Sequence, residues 1–131
     1  VLVLHDGQVV FSFGDATRKY MCHSIRKPLL RALYDIYVGK GVIDIDTTLG
    51  GLNTDDIPPS LSSIEKQATI RDLLMSRSGV YHEAAVEHQN MIDARPERGS
   101  HTPGTFFYYN IWDFNARPGS FWTFVSERRE V

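Results

Sequence analysis

The chain has 131 residues, 42% of them hydrophobic and 23% charged, with a formal net charge of −2. That length and balance fit one soluble globular domain with a real core, and the near-neutral charge offers no field for nucleic acid or a polybasic membrane contact. Cys22 is the only cysteine, which excludes an internal disulfide, and no apolar run approaches the length of a membrane span.

Val1 reads as a residue already inside a strand, so the start of the chain carries no information on export. Two β-prone runs, Val1 to His5 and Gln8 to Phe13, flank Asp6-Gly7. An Asp-Gly pair between such runs predicts a hairpin, because both central turn positions need positive φ. Gly14 to Thr17 reads as a loop. A helix is predicted from about Leu29 to Val38, with Leu29, Leu30, Leu33, Ile36 and Tyr37 on its apolar stripe and Gly39 and Gly41 at its end. Val42 to Asp46 is readable as a strand or as extended loop. Asp44 and Asp46 have calcium-like spacing but lack the glycine and distal glutamate of an EF-hand, so they read as turn residues.

Gly50-Gly51, Asp55-Asp56 and Pro58-Pro59 mark a long irregular connection. Thr69, with an acid three residues on at Asp72, predicts a capped helix start whose buried side is Ile70, Leu73 and Leu74; Ser76 to Gly79 stops it. A second short helix is expected over residues 83–92. His82 and His88 then fall on different sides of a solvated polar helix, and no metal site is assigned. Residues 95–104 read as a loop, followed by an aromatic segment from Phe106 to Phe114.

The chemistry resides in Ser24-Ile25-Arg26-Lys27, directly ahead of the first helix. Helical positions three apart share a face, which sets the Lys27 amine beside the Ser24 hydroxyl. A serine hydroxyl attacks a carbonyl only when a neighbouring base takes its proton, and a lysine amine is one such base. Cys22 and His23 lie beside the tetrad; a small buried residue is the expectation for Cys22 and a structural role for His23.

Three motifs occur in order: Ser24-x-x-Lys27, Arg71-Asp72-Leu73-Leu74-Met75-Ser76-Arg77-Ser78-Gly79-Val80, and Pro103-Gly104-Thr105 with tyrosines four residues on. With the leading hairpin, this order resembles the serine β-lactamase-related hydrolases: class C β-lactamases, D-alanyl-D-alanine carboxypeptidases and related esterases. The resemblance runs from about residue 1 to about residue 116. It implies an α+β fold of the β-lactamase and penicillin-binding-protein kind, an antiparallel sheet plus a helical region, and acyl transfer through an acyl-enzyme without a cofactor. On that resemblance Ser24 is the nucleophile, Lys27 its base and Tyr109 the proton relay. The substrate is a β-lactam, a D-amino-acid peptide or a small ester, with no nucleic acid partner.

The family asparagine two residues after the tyrosine falls on Ile111. Asn110 is its possible stand-in, and a one-residue slip to Tyr108-Tyr109-Asn110 restores the pattern at altered spacing. Isoleucine has no hydrogen-bonding group to offer a substrate carbonyl or Lys27. Pro28 is expected to loosen the Ser24–Lys27 geometry if Ser24 is the helix N-cap, since proline has no N–H for the Ser24 carbonyl. The family's third motif, on a later strand, is not found before Val131. The reading is therefore an incomplete domain over residues 1–116 that needs a missing segment or an oligomeric partner, followed by a divergent tail over residues 117–131.

Overall fold

The computed structural model describes residues 1–116; the divergent tail read over 117–131 lies outside them. The described part is a small α+β chain with one two-stranded antiparallel sheet and a few helices.

Strands β1 (Leu2–His5) and β2 (Gln8–Ser12) form the expected hairpin. Asp6 and Gly7 turn it with φ of 47° and 75°, the paired positive values that Asp-Gly favours. The register passes from Val3 opposite Phe11 to Leu4 opposite Val9, leaving Val10 as the extra residue of a bulge. Every residue of both strands is exposed, including Val3, Leu4, Val9 and Phe11.

A 3-10 turn (His23–Ile25) leads into α1 (Arg26–Gly39). The helix ends as its glycines direct. Gly41 adopts φ 68°, its N–H reaches the Val38 carbonyl at 2.9 Å, and the Val42 N–H reaches Tyr37 at 2.9 Å. This pair of bonds is the Schellman arrangement, which fills carbonyls the helix would leave open. The expected stripe is only half right. Leu30 and Tyr37 are half-buried, together with Lys27, Tyr34 and Val38, whereas Leu29, Leu33 and Ile36 face outward. The helix carries apolar residues on two sides, and hydrophobic periodicity alone does not say which side meets the rest of the chain.

Residues 42–46 form a turn and not a strand: the Asp46 N–H bonds the Asp44 carboxylate at 3.0 Å. The chain then runs antiparallel to residues 66–71 through Thr48–Thr69, Leu49–Ala68 and Gly50–Lys66 backbone contacts. Helix α2 (Ile70–Leu74) opens on the predicted capping box. Thr69 Oγ1 accepts from the Asp72 N–H at 3.1 Å, and the Asp72 carboxylate accepts from the Thr69 N–H at 3.0 Å. Leu49, Leu61, Ala68, Val80 and Trp112 make the core, with Leu73 packed against it.

The helix expected over residues 83–92 is shorter. Helix α3 spans only Gln89–Asp93, and residues 83–88 are loop. Val86 sits at φ 66°, and the Ala84 N–H is taken by the Glu87 side chain at 3.0 Å, so local side-chain capture displaces the helical ladder. His82 and His88 therefore do not share a polar helix: His82 is buried and His88 precedes α3. Helix α4 (Trp112–Asn115) closes the described chain. Among the described residues no helix is long and apolar enough to cross a membrane.

Candidate active site

Ser24 does not cap α1. It occupies the middle of the 3-10 turn, and Ile25 takes the N-cap position. Pro28 is consequently the third residue of the helix, where a missing N–H costs little because first-turn amides have no intrahelical acceptor. Lys27 is helical despite Pro28, and its Nζ makes no hydrogen bond to the Ser24 hydroxyl. His23, directly before the serine, has φ 42°. A non-glycine residue in the left-handed region stores backbone strain, of order 1–3 kcal/mol, and such strain concentrates where a side chain must be presented at an unusual angle. Cys22, expected to be buried, is exposed with His23 and Ser24 on the same open turn.

Tyr109 reaches this turn from the other end of the chain. The Gly104 N–H bonds the Arg77 carbonyl at 2.8 Å and the Tyr108 N–H bonds Ser76 at 3.0 Å, tying the segment to the stop that ends α2. Gly79 fits that seam because it has no side chain: at φ 70°, a Cβ there would lie 2.7 Å from the His101 carbonyl oxygen.

Lys27 Nζ is buried, with no hydrogen-bond partner. It lies 4.0 Å from the centroid of the Tyr109 ring and 4.4 Å from that of Phe114. Two aromatic faces thus hold the amine in place of water, a favourable setting for a cation. The nearby Lys27 Nζ, and after it the Ser24 hydroxyl, hold the Tyr109 phenol below its usual pKa against a small opposing effect of burial. Because Nζ stands over the ring, Lys27 acts on the phenol as an adjacent donor and charge and not through a formed hydrogen bond. Lys27 and Tyr109 are therefore in contact and Ser24 acts on the same phenol; Ser24 and Tyr109 are exposed residues, and the amine is enclosed.

Asn110 faces the other way. Its amide nitrogen donates to the Val80 carbonyl at 2.6 Å and to Asp113 Oδ1 at 3.1 Å, and its oxygen accepts from the Trp112 N–H at 3.1 Å. With the residue buried, no part of the amide is left for a substrate. The Tyr108 hydroxyl is likewise occupied, donating to Met91 at 2.7 Å. The slipped register Tyr108-Tyr109-Asn110 thus puts structural groups at its ends, while Ile111 is half-buried.

Sequence reasoning missed three members of this neighbourhood: Phe114, Asp113 and Ser78. Asp113 is buried and its Oδ1 receives the Ser78 hydroxyl at 2.5 Å. Burial pushes its pKa well above the usual carboxylate range; Ser78 and, more weakly, Lys27 pull the other way. An acid inside an aromatic run was the available signal, since a carboxyl placed there must find buried partners.

A second polar cluster lies behind Trp112. His82 Nδ1 is 2.9 Å from Asp56, which also accepts the Trp112 indole N–H at 2.9 Å, while His82 Nε2 faces Glu65 at 3.4 Å. Arg98 forks onto Glu65 at 3.0 and 2.8 Å. Burial alone would raise the Glu65 pKa, but Arg98, both Ser62 donors and His82 outweigh it and bring it down to about 2. Burial opposes ionisation of Asp56 too, and donors from Trp112, His82 and Ile57 still hold it below its usual value. Both carboxylates here are paired with protein donors, which meets the cost of burying them. No group of three or more potential metal ligands occurs among the described residues.

Comparison with protein-family models, with curated proteins and with solved structures returns no match for this chain.

Proposed function

We propose that this chain is a serine hydrolase of the β-lactamase-related kind, acting on an amide or ester carbonyl through an acyl-enzyme. One observation carries the reading: an unpartnered, enclosed Lys27 amine stands 4.0 Å from the centroid of the Tyr109 ring, and Ser24 acts on the same phenol. In this mechanism Lys27 takes the Ser24 proton as Oγ bonds to the carbonyl carbon. Tyr109 passes a proton to the leaving amine or alcohol as the old bond breaks, and water later releases the acid and restores the serine. The Ser24 backbone N–H would supply half of an oxyanion hole, and the positive end of α1 favours the negative tetrahedral oxygen. The β-lactamase and penicillin-binding-protein fold belongs to the same proposal, as does the choice among β-lactam, D-amino-acid peptide and small ester.

The test is labelling of the folded chain with a serine-directed fluorophosphonate. The expected result is a stoichiometric adduct on Ser24 that Ser24→Ala abolishes. Well-folded protein that takes no label overturns the assignment. It would favour the second reading, a catalytically impaired remnant or binding module, for which the specific observation is that Asn110 turns its amide onto Val80 while Ile111 stands at the asparagine position.

A further inference from the structure

Lys27 Nζ and Asp113 Oδ2 are both buried and both lack a hydrogen-bond partner. Their backbones belong to distant elements, α1 and α4, and the two residues beside Lys27 Nζ, Tyr109 and Phe114, bracket the segment that Asp113 organises. Asp113 Oδ1 gathers the Ser78 hydroxyl and the Asn110 amide, and the Asn110 amide holds the Val80 carbonyl and the Trp112 N–H. The turn from Tyr109 to Phe114 is thus pinned from within at Asp113 and offers its aromatic faces to the amine on the outside.

We propose that Asp113 is a positioning residue that holds the Tyr109–Phe114 turn around the Lys27 amine, and that it does so as a neutral hydrogen-bonding group and not as the counter-ion of Lys27. Lys27 and Asp113 form no ion pair, although each has an atom to spare. A carboxylate with one oxygen buried and bare is costly, whereas the protonated acid leaves only a weak dipole unmet. Burial acts most strongly on Asp113 and opposes its charge, as Asp72 from α2 also does; the Ser78 hydroxyl and backbone N–H and, more weakly, Lys27 from α1 favour the charge without outweighing burial, and Tyr81 also faces Asp113. With Asp113 uncharged, Lys27 Nζ faces the two aromatic rings and, among the described residues, no fixed anion.

This inference deepens the hydrolase reading and rests on it for its kinetic arm; a second arm does not. In the full chain, the rate of Ser24 labelling by a fluorophosphonate is followed against pH, and the Tyr109 phenol is titrated by ultraviolet absorbance with Tyr109→Phe as the reference. Asp113→Ala is expected to slow labelling roughly tenfold or more and to raise the Tyr109 midpoint as the amine moves off the ring. Asp113→Asn, which keeps the shape and both acceptor bonds, is expected to rescue both readouts with the labelling midpoint unmoved. A midpoint that falls by about one pH unit or more in Asp113→Asn would identify a counter-ion and overturn the proposal. So would a folded Asp113→Ala protein that keeps the wild-type phenol titration. If Asp113→Ala does not fold, Ser78→Ala decides: a raised Tyr109 midpoint is expected, and an unchanged one overturns the network. Wild-type protein that never labels refutes the hydrolase reading, while the phenol titrations still decide the role of Asp113.

Discussion

Glu65 offers the sharpest test of how the polar cluster behind Trp112 stabilises the chain. Its side chain is buried, it receives a forked bond from Arg98, and its pKa falls from 4.5 to about 2 on folding. A lowered carboxyl pKa contributes stability that is complete above the unfolded value and is lost as pH falls through the folded value. The shift corresponds to about 3 kcal/mol at neutral pH, of which about 2 kcal/mol is already gone at pH 3. Glu65→Gln removes the titration but leaves Arg98 and His82 facing a neutral amide, so the variant is less stable at pH 6. The assay is urea unfolding followed by tryptophan fluorescence, wild type against Glu65→Gln, at pH 6 and pH 3. The gap between the two proteins should narrow by about 2 kcal/mol on acidification, because only the wild type loses this contribution. A gap that is constant or widens refutes the reasoning and would mean that Arg98 does not hold Glu65 ionised in the fold.

Lys27→Ala should slow Ser24 labelling on the order of a hundredfold or more, the range expected for loss of a general base; an unchanged rate removes Lys27 from the mechanism. Tyr109→Phe keeps the ring over Lys27 Nζ and removes only the hydroxyl, so turnover of nitrophenyl esters should fall while the melting temperature holds. A large loss of melting temperature would show that the hydroxyl, and not only the ring, holds Lys27 in place. Thr69→Ala should cost about 1 kcal/mol through the capping box, and Asp46→Ala less than that, because the Asp46–Arg71 pair is exposed and screened by solvent. The opposite order in urea melts would count against this ranking. Gly79→Ala should destabilise by on the order of 2 kcal/mol or more, since the new Cβ meets the His101 carbonyl at a positive φ. Near-wild-type soluble yield and unfolding midpoint would show that the seam relaxes.

What the sequence made legible was local. Asp6-Gly7, Gly41 and the Thr69–Asp72 box each fix a backbone turn from a few adjacent residues, and each stands in the fold as expected. Helix α1 is local as well, and it tolerates Pro28 because it begins two residues after Ser24. What stayed hidden depends on partners far away in the chain. His82 was read as a surface residue because its acids, Asp56 and Glu65, come from a separate loop and turn. Residues 83–88 kept a helical pattern on paper, yet Glu87 caps its own loop and pairs with Arg95. Asn110 is a candidate for substrate because it stands one residue from the family asparagine position; in space its neighbours are Val80 and Asp113.

The enclosure of Lys27 by Tyr109 and Phe114 has a consequence for interpreting any variant at that position. The hairpin is wholly exposed and no residue of α1 is fully buried, so the serine rides on a part of the chain with little anchorage in the core. The amine is therefore a fastening between the two ends of the site as well as a reagent. Replacing it removes the base and loosens the grip that keeps hydroxyl and phenol adjacent, and a loss of rate at Lys27 mixes chemistry with assembly. Lys27→Met, which keeps a long apolar stem between the rings without the proton-accepting nitrogen, separates the two contributions.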